Sequence, residues 1–165
     1  MTNWKDYKNF TKAEFDCKHT GENKMRPEFM ERLQQIRTAY GKPLVITSGY
    51  RAPSHPVEAR KARAGEHTYG VACDIAISGT DALDLMVIAY GHGIRRIGVK
   101  QNGTGRFLHL GMGDQYLNFP PTIWSYYNER YFCKDCGTGY RREGCLAGWL
   151  AGIARPDDDG GRVGD

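Results

Sequence analysis

The sequence predicts an α+β domain: a small, mainly antiparallel sheet with flanking helices. Three observations carry that expectation. Apolar residues recur at helical spacing from Pro27 to Tyr40, they alternate from Val71 to Ile77, and an Asn102-Gly103 pair separates two further short strand-like runs. The resulting order is helix, strand, loop, strand, helix, hairpin.

Each element follows from local chemistry. In the first helix Phe29, Met30, Leu33, Ile36 and Tyr40 share one face, Pro27 suits a first turn and Gly41 suits a stop. Pro43 to Ser48 reads as a short buried strand, which Gly49-Tyr50-Arg51-Ala52-Pro53 turns into a loop, a common location for functional side chains. From Val71 to Ile77, one face carries Val71, Cys73, Ile75 and Ile77 and is a core face. The other carries Ala72, Asp74 and Ala76, a single carboxylate with space around it. Asp81 to His92 is amphipathic, with Leu83, Leu85, Met86, Ile88 and Ala89, and it ends at Gly91 and Gly93. Arg96 to Lys100 and Arg106 to Gly111 form the hairpin. In its second strand Leu108 and Leu110 face one way, Phe107 and His109 the other.

The 165 residues have the size of one domain, large enough to bury about 70% of the unfolded chain's surface without disulfide staples. Five cysteines leave at least one unpaired in a monomer. The ordinary 40% hydrophobic and 25% charged content excludes a wholly disordered chain or a fibre. No apolar run approaches the ~18 residues of a membrane span. The start, Met1-Thr2-Asn3-Trp4, lacks a basic region leading into an apolar stretch, so synthesis and folding in a cytosol are expected. The net charge of +4 is uneven: residues 1–155 hold 22 basic and 15 acidic side chains, and the last ten residues are acidic and expected to be disordered. A basic body suits a polyanion, whether nucleic acid, lipid surface or acidic cell-wall polymer. Scattered basic residues and the lack of a nucleic-acid motif argue against a specific nucleic-acid partner.

Three residues have the makings of a metal site. His67 lies seven residues before Asp74, with Tyr69-Gly70 able to turn the chain between them, and the hairpin can bring His109 to the same surface. Two imidazoles and a carboxylate supply the donors of a catalytic zinc site with a fourth position open to water. Zinc lowers the pKa of such a water toward ~7 and polarises a peptide carbonyl. A strand histidine is more often a satisfied polar group than a ligand, but a carboxylate within an apolar strand is costly unless paired or metal-bound.

Ser48-Gly49-Tyr50-Arg51, His67-Thr68-Tyr69-Gly70-Val71-Ala72-Cys73-Asp74-Ile75 and Phe107-Leu108-His109-Leu110 together resemble the zinc D-Ala-D-Ala carboxypeptidase family. That group includes vancomycin-resistance dipeptidases, phage endolysins and the amino-terminal domain of sonic hedgehog, and the resemblance spans about residues 10 to 112. It implies a hedgehog-like zinc domain over 1–112, with His67, Asp74 and His109 binding Zn2+ and Arg51 holding a substrate carboxylate or the polarised carbonyl. Ser48 and Tyr50, in the same motif, are expected substrate contacts. The implied activity is hydrolysis of peptidoglycan stem peptides at an anionic cell envelope. With no export signal in view, the expected setting is a phage endolysin or a virion-associated hydrolase that meets other virion proteins.

The chain also departs from that pattern. Arg106 and Phe107 stand where members carry an acid three residues, or a histidine two residues, before the last ligand. Gly65 replaces a common serine, and Gly111 stands where some phage members carry Asp. The general base is therefore sought at His55 and Glu58, with Glu66 also close in sequence. A non-catalytic virion or binding module that keeps the fold is the alternative. Residues 113–155 are expected to form an extension packed on the domain. Within it, Cys133, Cys136 and Cys145 have the spacing of part of a structural zinc knuckle, which Cys17 and His19 could help complete, and reduced thiols are the alternative. The aromatic cluster Trp124, Tyr126, Tyr127, Tyr131 and Phe132 reads as packing, glycan contact or nucleobase contact.

Overall fold

Helix α2, Pro27–Tyr40, forms over the span its periodicity predicts, after a short α1 at Lys12–Phe15. Its buried face is Phe29, Met30, Leu33, Ile36 and Tyr40, each contributing about 1.5–3 kcal/mol of burial, and Gly41 closes it in the left-handed region at φ 74°. The computed structural model describes residues 2–126, which form one unit; the cysteines at 133, 136 and 145, the aromatics from Tyr127 onward and the acidic end lie outside the described residues.

Five strands make one sheet: β1 Val45–Ser48, β2 Ala72–Ala76, β3 Arg96–Lys100, β4 Phe107–Gly111 and β5 Thr122–Ser125, in the order β1-β2-β4-β3-β5. The pairings of β1 with β2, β2 with β4 and β4 with β3 are antiparallel, as expected. β5 adds a parallel edge beside β3. The sequence reading lacks this strand because Thr122–Ser125 follows two prolines and shows no alternation of burial. One sheet face supplies Cys73, Ile75, Ile97, Leu108 and Leu110 to the core, together with α2 and α3 (Gly79–Gly91), whose buried residues include Leu85 and Ala89. A short helix, α4 at Gly113–Tyr116, leads toward β5.

The opposite face is organised by register. Ser48 pairs with Asp74, Asp74 with His109, His109 with Gly98 and Gly98 with Trp124, so one row crosses all five strands. Because side chains alternate across a strand, this row stands on the side away from the core. His67 reaches the row from a 3-10 turn at Glu66–Tyr69. That turn ends at Gly70, φ 69°, where a Cβ would lie 1.9 Å from the Lys24 carbonyl oxygen. Both the left-handed backbone and the close approach require glycine there.

Gly70→Ala is therefore expected to destabilise the fold by more than the roughly 1 kcal/mol of an unfavourable φ alone. Gly41→Ala, at a similar φ but with open space around the added carbon, should show only that smaller cost. Thermal denaturation of the pair checks this, and equal shifts would contradict the close approach.

Candidate metal centre

Among the described residues the buried polar and charged side chains are Glu58, Glu66, His67, Asp74 and His109. They form one connected cluster. At its centre, His67 Nε2, Asp74 Oδ1 and His109 Nδ1 lie 3.2, 2.9 and 3.3 Å apart pairwise. Ligands of a tetrahedral zinc bound at 2.0–2.1 Å are about 3.3 Å from one another, so the triangle already has close to the size of a zinc coordination face. These three side chains could hold a metal ion.

Each imidazole is fixed from behind. His67 Nδ1 donates to the Gly49 carbonyl at 2.6 Å, which leaves Nε2 as the inward lone pair. His109 Nε2 lies 3.2 Å from Glu66 Oε2, which leaves Nδ1 inward. A ring nitrogen held by a carbonyl or carboxylate is the usual support of a metal-binding histidine. Glu66 is itself anchored: Oε1 accepts from the Gly113 N–H at 2.7 Å and pairs with Arg96 Nε at 3.0 Å. A Cβ at Gly111 or Gly113 would come within 2.4 or 2.5 Å of Glu66 Oε1. The glycine at 111 is thus the space Glu66 occupies. Glu66 is a support for His109 rather than a free base.

The electrostatics follow from this packing. Burial alone would raise the Asp74 pKa, yet the two imidazoles beside it hold its carboxyl far below the usual range. Burial pushes His67 down, outweighing Asp74. At His109 burial also acts downward, but the hydrogen-bonding carboxylates of Asp74 and Glu66 outweigh it and raise the pKa. Glu66 itself is held below its usual value, because His109, Arg96 and Gly113 outweigh its burial.

Arg51 joins the centre to its rim. Its Nε donates to Ser48 Oγ at 2.9 Å, one terminal nitrogen donates to Asp74 Oδ2 at 2.6 Å, and the other lies 3.6 Å from Glu58 Oε1. Ser48 thus acts on Arg51. Glu58 also accepts from Lys61 Nζ at 2.8 Å and the Gly65 N–H at 3.0 Å. Burial opposes ionisation of Glu58, but these donors win and lower its pKa, so it orients Arg51 and is a poor proton acceptor. A Cβ at Gly65 would press on Lys61 Nζ and Glu58 Oε2, which explains the absence of a larger residue there. His55 accepts from the Val57 N–H at Nδ1, and its ring lies beside His19; its hydrogen bonds do not reach the triangle. Tyr50, an expected substrate contact, is 2% exposed and packs in the core. Cys17 and Cys73 are buried free thiols, and Cys17 Sγ accepts from the Ala52 N–H.

The model for peptidase M15 matches residues 7–111, a span that holds the whole triangle, Arg51 and Glu66. The chain belongs to the peptidase M15 family. This is a family of metallopeptidases, in keeping with the three converging donors. A search of curated proteins gives no match. Glu66 was considered in the sequence as a base, but neither its place behind His109 nor the five-strand row was legible there. The signal for Glu66, an acid next to a ligand histidine with glycines at 111 and 113, becomes readable only once pairing puts them together.

Glu66→Gln is expected to weaken zinc binding about 10- to 100-fold, since it removes the charge behind His109. Calorimetric titration checks this, and unchanged affinity would reduce Glu66 to space filling. The raised His109 pKa sets a sign for pH as well. Metal must displace its proton, so zinc affinity should decline as pH falls through a value above 6.5, with about one proton released per ion there. Titration in buffers of different ionisation enthalpy counts that proton.

Proposed function

We propose that this M15 protein is a zinc-dependent peptidase acting on peptidoglycan stem peptides, of the D-Ala-D-Ala carboxypeptidase or endopeptidase type. The observation that carries the reading is the triangle of His67, Asp74 and His109 with a guanidinium directly beside it. Those three residues would hold the zinc, which when bound activates water and polarises a peptide carbonyl. Arg51 is 17% exposed at its side chain and has five N–H donors, of which Ser48, Asp74 and Glu58 face three. The remaining donors suit the carboxylate of a D-alanine or diaminopimelate residue. Glu58 and Lys61 keep the guanidinium in place while substrate binds.

The basic character of residues 1–155 supports retention at an anionic cell wall. In that setting the protein acts as a phage endolysin or virion-associated wall hydrolase. A second reading, a virion or binding module without turnover, is favoured by one observation: Glu58, an expected base, is held by Lys61 and the Gly65 N–H, and the side-chain hydrogen bond of His55, the other, goes to Val57.

Incubation with purified sacculi separates the two. The zinc-loaded protein should release stem-peptide fragments whose masses identify the bond cut, and chelation should abolish release. Asp74→Ala and Arg51→Ala should each lower the rate by at least about 100-fold. Turnover that persists after complete zinc removal, or in Asp74→Ala, would sink the metallopeptidase mechanism.

A further inference from the structure

β5 brings two aromatic rings to the metal centre. Trp124 ends the row that contains Asp74 and His109, and its ring centroid lies 5.2 Å from that of His109. Tyr126 follows on the same face, its N–H bonded to the Val99 carbonyl at 2.9 Å and its ring 5.0 Å from Phe107. Phe107 is two residues before His109 and shares its face. Gly98 explains why both rings can lie across β3: a Cβ there would be 2.7 Å from Tyr126 Cε2 and 2.8 Å from Trp124 Cε2. The missing side chain is the space over which the aromatic pair leans toward β4.

The Tyr126 phenol is also within electrostatic reach of the metal centre. Tyr7 and Tyr40, also raised by burial, respond to Glu31, Asp6 and Glu28 and to Asp81, Lys42 and Asp84. Tyr126 responds to burial, to the Trp124 indole, and then to Asp74, Arg51 and Glu66, the charged groups of the metal centre. A phenol keeps its proton at neutral pH and can donate a hydrogen bond.

We infer that Tyr126 is a catalytic residue whose hydroxyl donates a hydrogen bond to the scissile carbonyl oxygen as that oxygen gains charge. Arg51 comes to the centre from the loop after β1, Tyr126 from β5 at the opposite edge of the sheet, and the peptide lies between them. No proton is transferred; the phenol stays neutral and its donor points where charge develops. Phe107, Gly98 and Trp124 are positioning residues for that hydroxyl. The inference rests on the peptidase reading above.

The test is Tyr126→Phe, which keeps the ring on Phe107 and removes only the hydroxyl. In the zinc-loaded protein kcat for stem-peptide hydrolysis should fall about 100-fold with KM within about twofold. A phosphinate analogue of D-Ala-D-Ala, tetrahedral at the scissile position, should bind at least about 10-fold more weakly to the variant by calorimetry. Zinc affinity and melting temperature should match the parent, which separates a lost donor from a disturbed fold. Equal phosphinate affinity and equal kcat in the two proteins would overturn the role of Tyr126 and leave the peptidase reading standing. A parent protein that neither cleaves stem peptides nor binds the phosphinate would overturn both.

Discussion

The structure turns on one imidazole held from both sides. His109 faces Asp74 and His67 through one nitrogen and Glu66 through the other, and every other feature of the sheet's polar face serves that arrangement. Buried charges are tolerated only when paired, and here Glu66 meets Arg96, Asp74 meets Arg51, and Glu58 meets Lys61 and Arg51. The carboxylates and cations balance, so the cluster survives in a largely apolar domain. Removing one partner would strand another, which makes the centre a cooperative unit rather than three independent ligands.

The sheet is the means of convergence. β2 and β4 lie side by side, and their register places Asp74 opposite His109, while His67 is delivered by a turn whose direction Gly70 sets. Helices α2 and α3 cover the other face. Core and centre thus occupy opposite sides of the same strands, and alternation along β2 and β4 assigns each residue to one or the other.

Much of this was legible in the sequence because its signals are local. The period of α2, the alternation of β2 and the Asn102-Gly103 turn each depend on a few neighbouring residues, and each element formed close to its expected bounds. Asp74 was conspicuous as a carboxylate in an apolar strand, and the resemblance to the zinc carboxypeptidase family joined it to His67 and His109 as one set. What stayed hidden depends on pairing between distant segments. Glu66 supports His109 across 43 residues, and Glu58 turned out to be an arm of Arg51 because Lys61 and Gly65 fold back on it. β5 was missed because its partner is β3, and its own residues carry no strand period.

Among the described residues that last strand has one neighbour only, and Ile123 on it is 64% exposed. An edge strand bonded on one side is among the first parts of a sheet to open, whereas β2 and β4 are bonded on both. Asp74 and His109 therefore sit on strands bonded on both sides, and Trp124 on a strand at the edge of the described sheet. Holding an ion and shaping the space above it thus fall to different strands of the same sheet.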